Sequence, residues 1–488
     1  MSRNIFKSFV KKVEVNPSFK FIKTKENGVW KWHTREDILH NINGCIEKFR
    51  YYKIKKGDRV IYKGKNSVEW LSWNLAAYSK GIIWVPLYEQ QEIEHCNHII
   101  RDSRATLFIT NENLDIDNII KISSELNPTK SISNFDPVEN ELSNLIYTSG
   151  TTGKPKGVKL SHENILSNID SVYNRFSDIP TGLTSLNILP WAHIYGLTCE
   201  LYYNLLNDNK VALCTDKTKF IDECKEVKPE ALYVVPKVLE TVKNKVIFLD
   251  KPLIRKIIPF LLLKLFGGNI QNIFSGGAKL DKKTRNFFED NKIPICEGYG
   301  CSELSPMVSV NHLTEPRDIN SIGKILDGID VEIFNGEICV SGPNVMEGYW
   351  NDKEKTNEVL FKKNNKIWYS TGDSGYIDND FLYYTGRISE NYKMSNGKFV
   401  NVNQLESKLK EYIKCNFIVY GENMPKNVLI TDSSLDVCLN VINESLESFL
   451  RIDKVIILEE NEMANFLTPK MSIKRKLLIS HIKSNNLI

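Results

Sequence analysis

Residues 147–157 of the chain, YTSGTTGKPKG, combine hydroxyl groups, glycines and lysines at a spacing suited to phosphate binding. Glycines let backbone N–H groups approach phosphate oxygens, hydroxyls donate hydrogen bonds, and Lys154 or Lys156 adds positive charge. The loop is not a Walker A motif, because Pro155 stands where that motif requires the glycine before its lysine. A solvent-exposed flexible turn is the alternative interpretation. We favour phosphate binding, with these candidate ligands: Thr148, Ser149, Gly150, Thr151, Thr152, Gly153 and Lys154.

The elements around this loop must position it. A strand-like run, LIYTS, precedes the loop, and a helix is predicted to begin near Ser161. Strand-like runs near positions 145, 211, 231 and 272 alternate with helical segments, which is typical of α/β layers. From about position 330 the pattern changes to hairpins, with predicted turns at Asn335-Gly336 and Asn379-Asp380.

The last hundred or so residues mix short strands (FIVY, NVLIT, KVIIL) with helical segments and are long enough for a small domain. We therefore predict an α/β protein in two parts. Residues 1–387 form a large N-terminal domain of layered α/β subdomains plus a β-rich segment. Residues 388–488 form a small α+β C-terminal domain.

Composition narrows the classes of partner and compartment. The 64 basic and 60 acidic residues leave a net charge of +4, which gives no reason to expect a nucleic-acid partner. The ten scattered cysteines indicate reduced thiols in the cytoplasm and neither disulfides nor structural zinc. The most apolar stretch, residues 253–266, is interrupted by charges and is shorter than the roughly 20 residues that span a bilayer. We predict no transmembrane helix; the stretch is interpreted as a buried or amphipathic helix, with peripheral membrane contact as the alternative.

The phosphate loop resembles the signature loop of the acyl-adenylate-forming enzymes, a family that includes acyl-CoA synthetases, luciferases and peptide-synthetase adenylation domains. Other stretches match the family's motifs in the family's order and together cover most of the chain, so the chain is identified as a member. These stretches are LPWAHIYG (189–196), SGGAKL (275–280), EGYGCSE (297–303), GEICVSGPNVMEGYW (336–350), STGD (370–373) and GRISENYKMSNGKFV (386–400).

The resemblance implies a two-step reaction. A carboxylate attacks the α-phosphorus of ATP, which gives acyl-AMP and releases diphosphate; the acyl group then passes to coenzyme A. Glu303 matches the residue that holds Mg²⁺, and Ser302 stands where the family usually has a threonine that contacts the α-phosphate. Thr152 of the loop is a candidate catalytic residue. A lone glutamate such as Glu303 is otherwise an ordinary surface acid.

The resemblance also assigns the nucleotide contacts. Tyr299, between two glycines that we expect to leave one ring face open, matches the aromatic that stacks on adenine. Asp373 matches the carboxylate that accepts the ribose hydroxyls, although Gly-Asp is also good turn chemistry. The full set of matching residues is Gly276, Gly277, Ala278, Tyr299, Gly300, Asp373 and Arg387.

Several residues match catalytic or conformational positions of the family. His193 lies beside the expected acyl pocket, though a lone histidine among apolar residues is often a core residue. The second half-reaction is thought to need rotation of the small domain about a hinge near 387–390, where Ser389 replaces the usual aspartate or lysine. Lys393 and the turn after it match the loop that lines the pantetheine tunnel; a charged surface loop is the alternative.

Near the C-terminus the sequence departs from the family. Matching LTPKMSIKRK to the family's C-terminal pattern puts Ser472 where most members carry the lysine that bridges the carboxylate and the α-phosphate. A serine cannot supply that charge. Positions 470, 472 and 474 of an extended segment point to one side, so we expect Lys474 or Lys470 to substitute. The alternative is a solvated basic patch and crippled adenylation.

Within the family, LPWAHIYG and the C-terminal segment are most like long-chain fatty acid:CoA ligases. The stretch between Val235 and Phe274 is shorter than in many such enzymes, so a medium-chain or aryl acid stays open. Two other functions also stay open. One is a ligase that loads a carrier protein, and the other is a non-catalytic lipid- or nucleotide-binding descendant of the fold.

Overall fold

The computed structural model describes residues 3–116, 119–130, 135, 141–149, 155–249, 255–435, 437–467 and 473–488. The chain divides into two compact units. The first contains residues 1–331, 340–369 and 378–382, and the second contains residues 332–339, 370–377 and 383–488. The second unit thus takes in strand segments that precede residue 388, while the hinge near 387–390 stays a prediction.

The strands alternate with helices through most of the first unit. In chain order the strands are β1 (Lys20–Glu26), β2 (Val29–Thr34), β3 (Arg59–Lys63), β4 (Ile83–Leu87), β5 (Leu107–Ile109), β6 (Ile120–Ile122), β7 (Leu142–Ser149), β8 (Pro155–Ser161), β9 (Thr184–Asn187), β10 (Lys210–Leu213), β11 (Ala231–Val234), β12 (Asn272–Ser275), β13 (Ile295–Gly300), β14 (Met307–Val310), β15 (Lys324–Ile325), β16 (Asp330–Phe334), β17 (Glu337–Ser341), β18 (Leu360–Lys363), β19 (Lys366–Asp378), β20 (Phe381–Arg387), β21 (Tyr392–Lys393), β22 (Phe399–Val400), β23 (Phe417–Tyr420), β24 (Asn427–Thr431) and β25 (Ile452–Ile457).

The helices cover the faces of these sheets. In chain order they are α1 (Ile5–Val15), α2 (Arg35–Tyr51), α3 (Val68–Ser79), α4 (Ile93–Ser103), α5 (His162–Arg175), α6 (Tyr203–Leu206), α7 (Phe220–Val227), α8 (Pro236–Val246), α9 (Ile258–Leu265), α10 (Lys282–Asp290), α11 (Lys353–Val359), α12 (Val402–Leu409), α13 (Leu439–Glu444), α14 (Glu460–Ala464) and α15 (Arg475–Ser484). A π-helix, Tyr195–Tyr202, runs directly into α6. Within the described residues no helix has the length and hydrophobicity needed to cross a bilayer.

One sheet of the first unit has the order β6-β5-β3-β4-β7-β8, parallel except for the antiparallel pair β7 and β8. The strand β8 was not predicted from the sequence, whereas the helix predicted to begin near Ser161 is confirmed by α5. Val158 and Leu160 are fully buried while Lys159 between them is half-buried. This alternation is the period of a strand. The helix α5 begins one residue after β8, with Ser161 as its N-cap.

A second sheet of the first unit follows the path β2-β1-β10-β9-β11-β12-β13-β14-β15. Its strands from β1 to β13 run parallel, and β14 and β15 return antiparallel. Residues of β11, β12 and β13 share one hydrophobic core with α8, α9 and α10, for example Leu232, Ile273 and Phe288. Ligands of open parallel sheets usually bind outside the carboxyl ends of the strands.

The second unit ends in a sheet of order β23-β24-β25. Alternate residues of β23 enter two different cores: Phe417 and Val419 face α12, whereas Ile418 and Tyr420 share a core with Leu478 of α15. The predicted α/β class and the strands near 145, 211, 231 and 272 are confirmed. The turns Asn335-Gly336 and Asn379-Asp380 are also confirmed, since all four residues have positive φ.

Candidate active site

The phosphate loop is the tip of the β7–β8 hairpin. Thr148 pairs with Lys156 across the hairpin, and Tyr147 pairs with Gly157. Thr148 is half-buried. Residues 150–154 and the side chain of Ser149 lie outside the described residues, so the predicted roles of Gly150, Thr151, Thr152, Gly153 and Lys154 stay predictions. The described strands show how the loop is anchored at both ends.

Glu303 lies in a short 3-10 turn, Ser302–Leu304, that the segment after β17 holds in place. The Asn344 side-chain amide donates to the Leu304 carbonyl at 2.9 Å, and the Met346 N–H donates to the Glu303 carbonyl at 2.8 Å. Ser302 is nearly buried in the same turn. The turn therefore has a defined backbone position before any ligand binds.

Tyr349 links Glu303 to the phosphate hairpin. Its hydroxyl donates to Glu303 Oε1 at 2.9 Å, and its backbone pairs with Val158 of β8. Lys156 Nζ lies 5.3 Å from the centre of the Tyr349 ring. Burial, and then the nearby Glu303 carboxylate, raise the pKa of Tyr349, so this hydroxyl stays a donor at neutral pH. Tyr349 was quoted within a motif but given no role in the sequence analysis.

The helix α5 fixes two backbone segments of this part of the site, one that follows Glu303 and one that precedes Tyr349. The Asn168 side chain makes two hydrogen bonds with the backbone of Met307, at 2.7 Å and 3.1 Å. Asn164, one turn earlier, donates to the carbonyls of Pro343 and Val345. Buried amides that satisfy backbone groups of two separate segments fix the distance between them. In the sequence, the signal for this role is a pair of asparagines four residues apart, Asn164 and Asn168.

Tyr299 is half-buried at a β-bulge, where the pairing of β13 with β14 shifts between Tyr299 and Gly300. The sequence predicted that Gly300 helps to leave one face of the Tyr299 ring open. The structure shows a separate reason for a glycine at this position. A Cβ at Gly300 would lie 1.7 Å from the Pro306 carbonyl oxygen. Gly300 therefore permits a close backbone approach, which fixes how β13 ends.

The loop that carries Gly276, Gly277 and Ala278 follows the end of β12. Glu297 of β13 holds this loop, because its Oε1 accepts from the Leu280 N–H at 2.9 Å. A Cβ at Gly276 would lie 3.3 Å from the ring of Tyr195. Gly277 has φ +78°, and both Gly277 and Ala278 are exposed. The small residues thus leave an accessible strand end beside Tyr195.

His193 is half-buried, in the turn just before the π-helix. Its Nδ1 accepts from the Tyr195 N–H at 3.2 Å. In the neutral ring the proton therefore lies on Nε2, which makes Nε2 a donor. This geometry suits a contact to a carboxylate oxygen and does not suit proton abstraction through Nδ1.

A buried polar network supports the segment that ends at His193. The Asn66 side chain bonds to the Leu189 carbonyl, the Asn187 oxygen and the Trp191 N–H. The Asn187 amide donates to Glu200 Oε2 at 2.5 Å. Glu200 is fully buried in the π-helix, and burial raises its pKa to about 8. The carboxyl is therefore neutral at pH 7.

A narrow apolar cavity of about 20 Å³ lies at the carboxyl ends of β12 and β13. Ser275 and Gly298, which adjoin the motif residues Gly276 and Tyr299, form part of its wall. The Tyr233 and Phe274 rings stack at 5.0 Å, and Phe176 meets Phe274 edge-on at 5.1 Å. The aromatic side chains that line the cavity are those of Phe176, Tyr195, Tyr203, Tyr233 and Phe274.

In the second unit Asp373 and Arg387 lie on neighbouring strands, β19 and β20. Arg387 Nε lies 2.9 Å from Asp373 Oδ1, and Arg387 Nη1 donates to the Thr371 carbonyl at 3.0 Å. The Asp373 side chain is almost fully buried, whereas that of Arg387 is about half exposed. The structure thus brings these two predicted residues together and orients both.

Lys393 is exposed on the small hairpin of β21 and β22, opposite Phe399. Gly397, with φ +79°, closes the turn by donating its N–H to the Met394 carbonyl at 2.9 Å. The Lys393 carbonyl accepts from the Asn423 N–H at 2.9 Å. The lysine therefore projects from an ordered hairpin.

Lys474 is exposed and precedes α15, with its N–H donating to the Phe466 carbonyl at 2.6 Å. The next residue, Arg475, pairs with Glu406 in the interior of the second unit. This ion pair anchors the start of α15 directly beside Lys474. Lys470 and Ser472 lie outside the described residues, so the choice between the two lysines stays a prediction.

Comparison with known proteins shows the family to which the chain belongs. A family model described as AMP-binding enzyme matches residues 9–350. A long-chain-fatty-acid–CoA ligase, FadD15 of Mycobacterium bovis, is 24% identical over 84% of this chain and 78% of its own length. A long-chain-fatty-acid–CoA ligase of Bacillus subtilis is 31% identical over 58% of this chain and 50% of its own length.

Solved structures share the fold. ATP-bound RpMatB-BxBclM chimera B3 superimposes with a TM-score of 0.83 at 20% identity and covers 99% of both chains. The O-succinylbenzoate coenzyme A synthetase MenE of Bacillus subtilis, in complex with ATP and a magnesium ion, gives a TM-score of 0.79 at 19% identity. It covers 98% of this chain and 99% of its own.

Proposed function

Because the chain belongs to the AMP-binding enzyme family, we propose that it is an acid:thiol ligase that activates a fatty acid with ATP and transfers the acyl group to coenzyme A. The observation that carries this proposal is the contact of Tyr349 with both Glu303 and the β7–β8 hairpin. It ties an acidic side chain to a loop rich in phosphate-binding groups.

The site fits magnesium. Mg²⁺ usually takes one or two protein carboxylates and completes its shell with water and substrate phosphates. Across the described part of the chain no group of three or more His, Cys, Asp or Glu residues could hold a metal alone. Glu303 would be the protein carboxylate for an ion that arrives with ATP. When bound, Mg²⁺ offsets the negative charge that builds on the phosphates.

The remaining residues bind and orient the two substrates. The hairpin loop holds the phosphates, Ser302 contacts the α-phosphate, and Tyr299 with the exposed Gly277-Ala278 backbone holds the adenine. Asp373 accepts the ribose hydroxyls while Arg387 fixes its orientation. His193 donates from Nε2 to the carboxylate of the acid. Lys474 or Lys470 bridges that carboxylate and the α-phosphate, and Lys393 acts with coenzyme A in the second step.

A medium-chain or aryl acid is the second candidate substrate, because the stretch between Val235 and Phe274 is shorter than in many long-chain ligases. The aromatic cavity, at about 20 Å³, has room for about one water molecule, so an acyl group of either class requires its side chains to move. The names of the relatives support a long-chain fatty acid instead.

Diphosphate release from ATP, measured across fatty acids of increasing length and several aryl acids, tests both substrates. The proposal expects release that depends on one acid class and an acyl-CoA product when coenzyme A is present. Acyl-AMP without acyl-CoA would identify a carrier protein as the acceptor. Absence of diphosphate release with every acid would identify a non-catalytic descendant of the fold.

A further inference from the structure

The 3-10 turn after α8 and the helix α9 leave large apolar side chains exposed. Large apolar side chains with high exposure are scattered over the described residues, but five of them lie between positions 247 and 263. Phe248 is 66% exposed and Phe260 is 67% exposed. We call this set the Phe260 patch; its members are Ile247, Phe248, Ile257, Phe260 and Leu263.

The patch is not a by-product of a poorly buried helix. On α9, Ile258 and Leu262 are fully buried, and Phe266 just beyond it is nearly so, at the core shared with β11 and β12. Ile257, Phe260 and Leu263 follow the same helical spacing on the opposite side. The helix therefore has one apolar face for the core and a second apolar face toward solvent. A soluble surface helix normally carries polar residues there.

Basic residues flank the patch. Lys245, Arg255, Lys256 and Lys264 are exposed, and Arg255 also reaches Asp290 at 3.3 Å. The described residues 243–249 and 255–264 contain five basic residues and no acidic residue, although the whole chain has a net charge of only +4. Positive charge is thus concentrated near the exposed apolar side chains.

We propose that the Phe260 patch is a docking surface for an anionic lipid bilayer. Phenylalanine and aliphatic side chains enter the acyl region, while lysine stems extend along the helix so that their ammonium groups reach the headgroups. Each Lys or Arg near an anionic surface adds to the electrostatic attraction. A second copy of the chain is a poorer occupant, because a two-fold contact would bring like charges together.

Binding of the purified full-length protein to sedimented vesicles tests the proposal. We expect binding to phosphatidylcholine vesicles that contain phosphatidylglycerol, weaker binding to pure phosphatidylcholine, and release by salt. The double variant Phe248→Ser/Phe260→Ser should reduce the bound fraction about tenfold or more. Lys256→Gln/Lys264→Gln should remove the preference for the anionic vesicles.

The matched control is Tyr51→Ser/Ile457→Ser, because both residues are highly exposed but lie outside the patch. It should bind vesicles like the unaltered protein. None of the altered patch residues lies in the proposed active site, so adenylation of a water-soluble acid should be unchanged in the Phe248→Ser/Phe260→Ser variant. That assay also shows that the variant folds.

Hydrogen exchange gives a second readout on the unaltered protein. Anionic vesicles should slow amide exchange in residues 257–264 more than in α10. Three results would each overturn the proposal: no binding to anionic vesicles, equal binding by the Phe248→Ser/Phe260→Ser variant, or a dimer in the absence of lipid that this variant loses. The test is independent of which acid the enzyme activates.

Discussion

Glu303 and Tyr349 meet through a hydrogen bond of 2.9 Å that joins two segments far apart in the sequence. The tyrosine hydroxyl orients the carboxylate, which suits a ligand for a divalent cation. The orientation of the His193 ring is also fixed, because its Nδ1 accepts a hydrogen bond from the Tyr195 N–H. At the scale of single residues, the roles proposed for these side chains follow from the hydrogen bonds that orient them.

Replacing Glu303 should abolish adenylation, because no other carboxylate of the site is proposed to hold Mg²⁺. We expect Glu303→Gln to lower kcat/KM for diphosphate release about hundredfold or more. Tyr349→Phe should lower kcat/KM for diphosphate release about tenfold. It should also raise the Mg²⁺ concentration needed for the half-maximal rate. Tyr51→Phe, an exposed tyrosine elsewhere, serves as the control. Normal Mg²⁺ dependence in Glu303→Gln would contradict the metal assignment.

The lysine that replaces the family residue at Ser472 can be identified by timing the half-reactions separately. We expect Lys474→Ala to slow acyl-AMP formation by orders of magnitude, because a charge between two anions is lost, and Lys470→Ala to have the smaller effect. Lys476→Ala, in the same basic segment, is the control. If neither Lys474→Ala nor Lys470→Ala slows adenylation, the substitution hypothesis is wrong.

At the scale of elements, the carboxyl ends of β12 and β13 and the start of the π-helix enclose the aromatic cavity. Glu200 lies on the π-helix and accepts a hydrogen bond from Asn187, which belongs to the network that supports the His193 segment. Such irregular helices often occur at functional sites. The same short stretch of chain therefore affects both the aromatic cavity and the position of His193.

Tyr233→Ala should enlarge the acyl pocket, since its ring stacks on Phe274 at 5.0 Å. We expect the preferred acid to become longer by several carbons, measured as kcat/KM along a series of fatty acids. Tyr233→Phe keeps the ring and should keep the original preference. An unchanged profile in Tyr233→Ala would show that the acid does not occupy this cavity.

Glu200 makes stability depend on pH. Its folded pKa of about 8 is above the unfolded value, so its neutral form stabilises the fold fully at low pH. That contribution is lost as pH rises from about 4.3, the value for unfolded glutamate, toward the folded pKa. We expect Glu200→Gln, which keeps an oxygen acceptor for Asn187, to lose less stability than the unaltered protein over this range. Urea unfolding at several pH values measures the difference; parallel curves would contradict it.

At the scale of the whole molecule, the candidate residues divide between the two units. Glu303, Tyr299 and His193 belong to the first unit, and Asp373, Arg387 and Lys393 belong to the second. We propose that the C-terminal part, residues 388–488, rotates about the hinge near Ser389 between the two half-reactions. Large domain movements of this kind commonly gate enzymes with two chemical steps.

Lys393→Ala should separate the two steps. We expect acyl-AMP to form at a nearly normal rate and transfer to coenzyme A to slow, because Lys393 is proposed to act only with the thiol substrate. Lys398→Ala, in the same hairpin, is the control. Equal loss of both steps would make Lys393 a general structural residue.

The sequence by itself determined the family, the α/β class and a part of the strands, among them those near 145, 211, 231 and 272, because strand periodicity, turn residues and ordered motifs are local features of the chain. It placed the acidic residue Glu303 and the phosphate loop in matching motifs. It did not predict β8, because the first residues of this short strand, 155–157, were interpreted as part of the phosphate loop.

Only the tertiary structure decided which distant groups meet. The contact of Tyr349 with Glu303, the clamps made by Asn164 and Asn168, and the Asn66–Asn187–Glu200 network join residues separated by long stretches of sequence. Their energies depend on burial and on donor geometry, which periodicity does not encode. The aromatic walls of the cavity likewise come from separate elements, so the shape of this cavity is set by packing and not by any one motif.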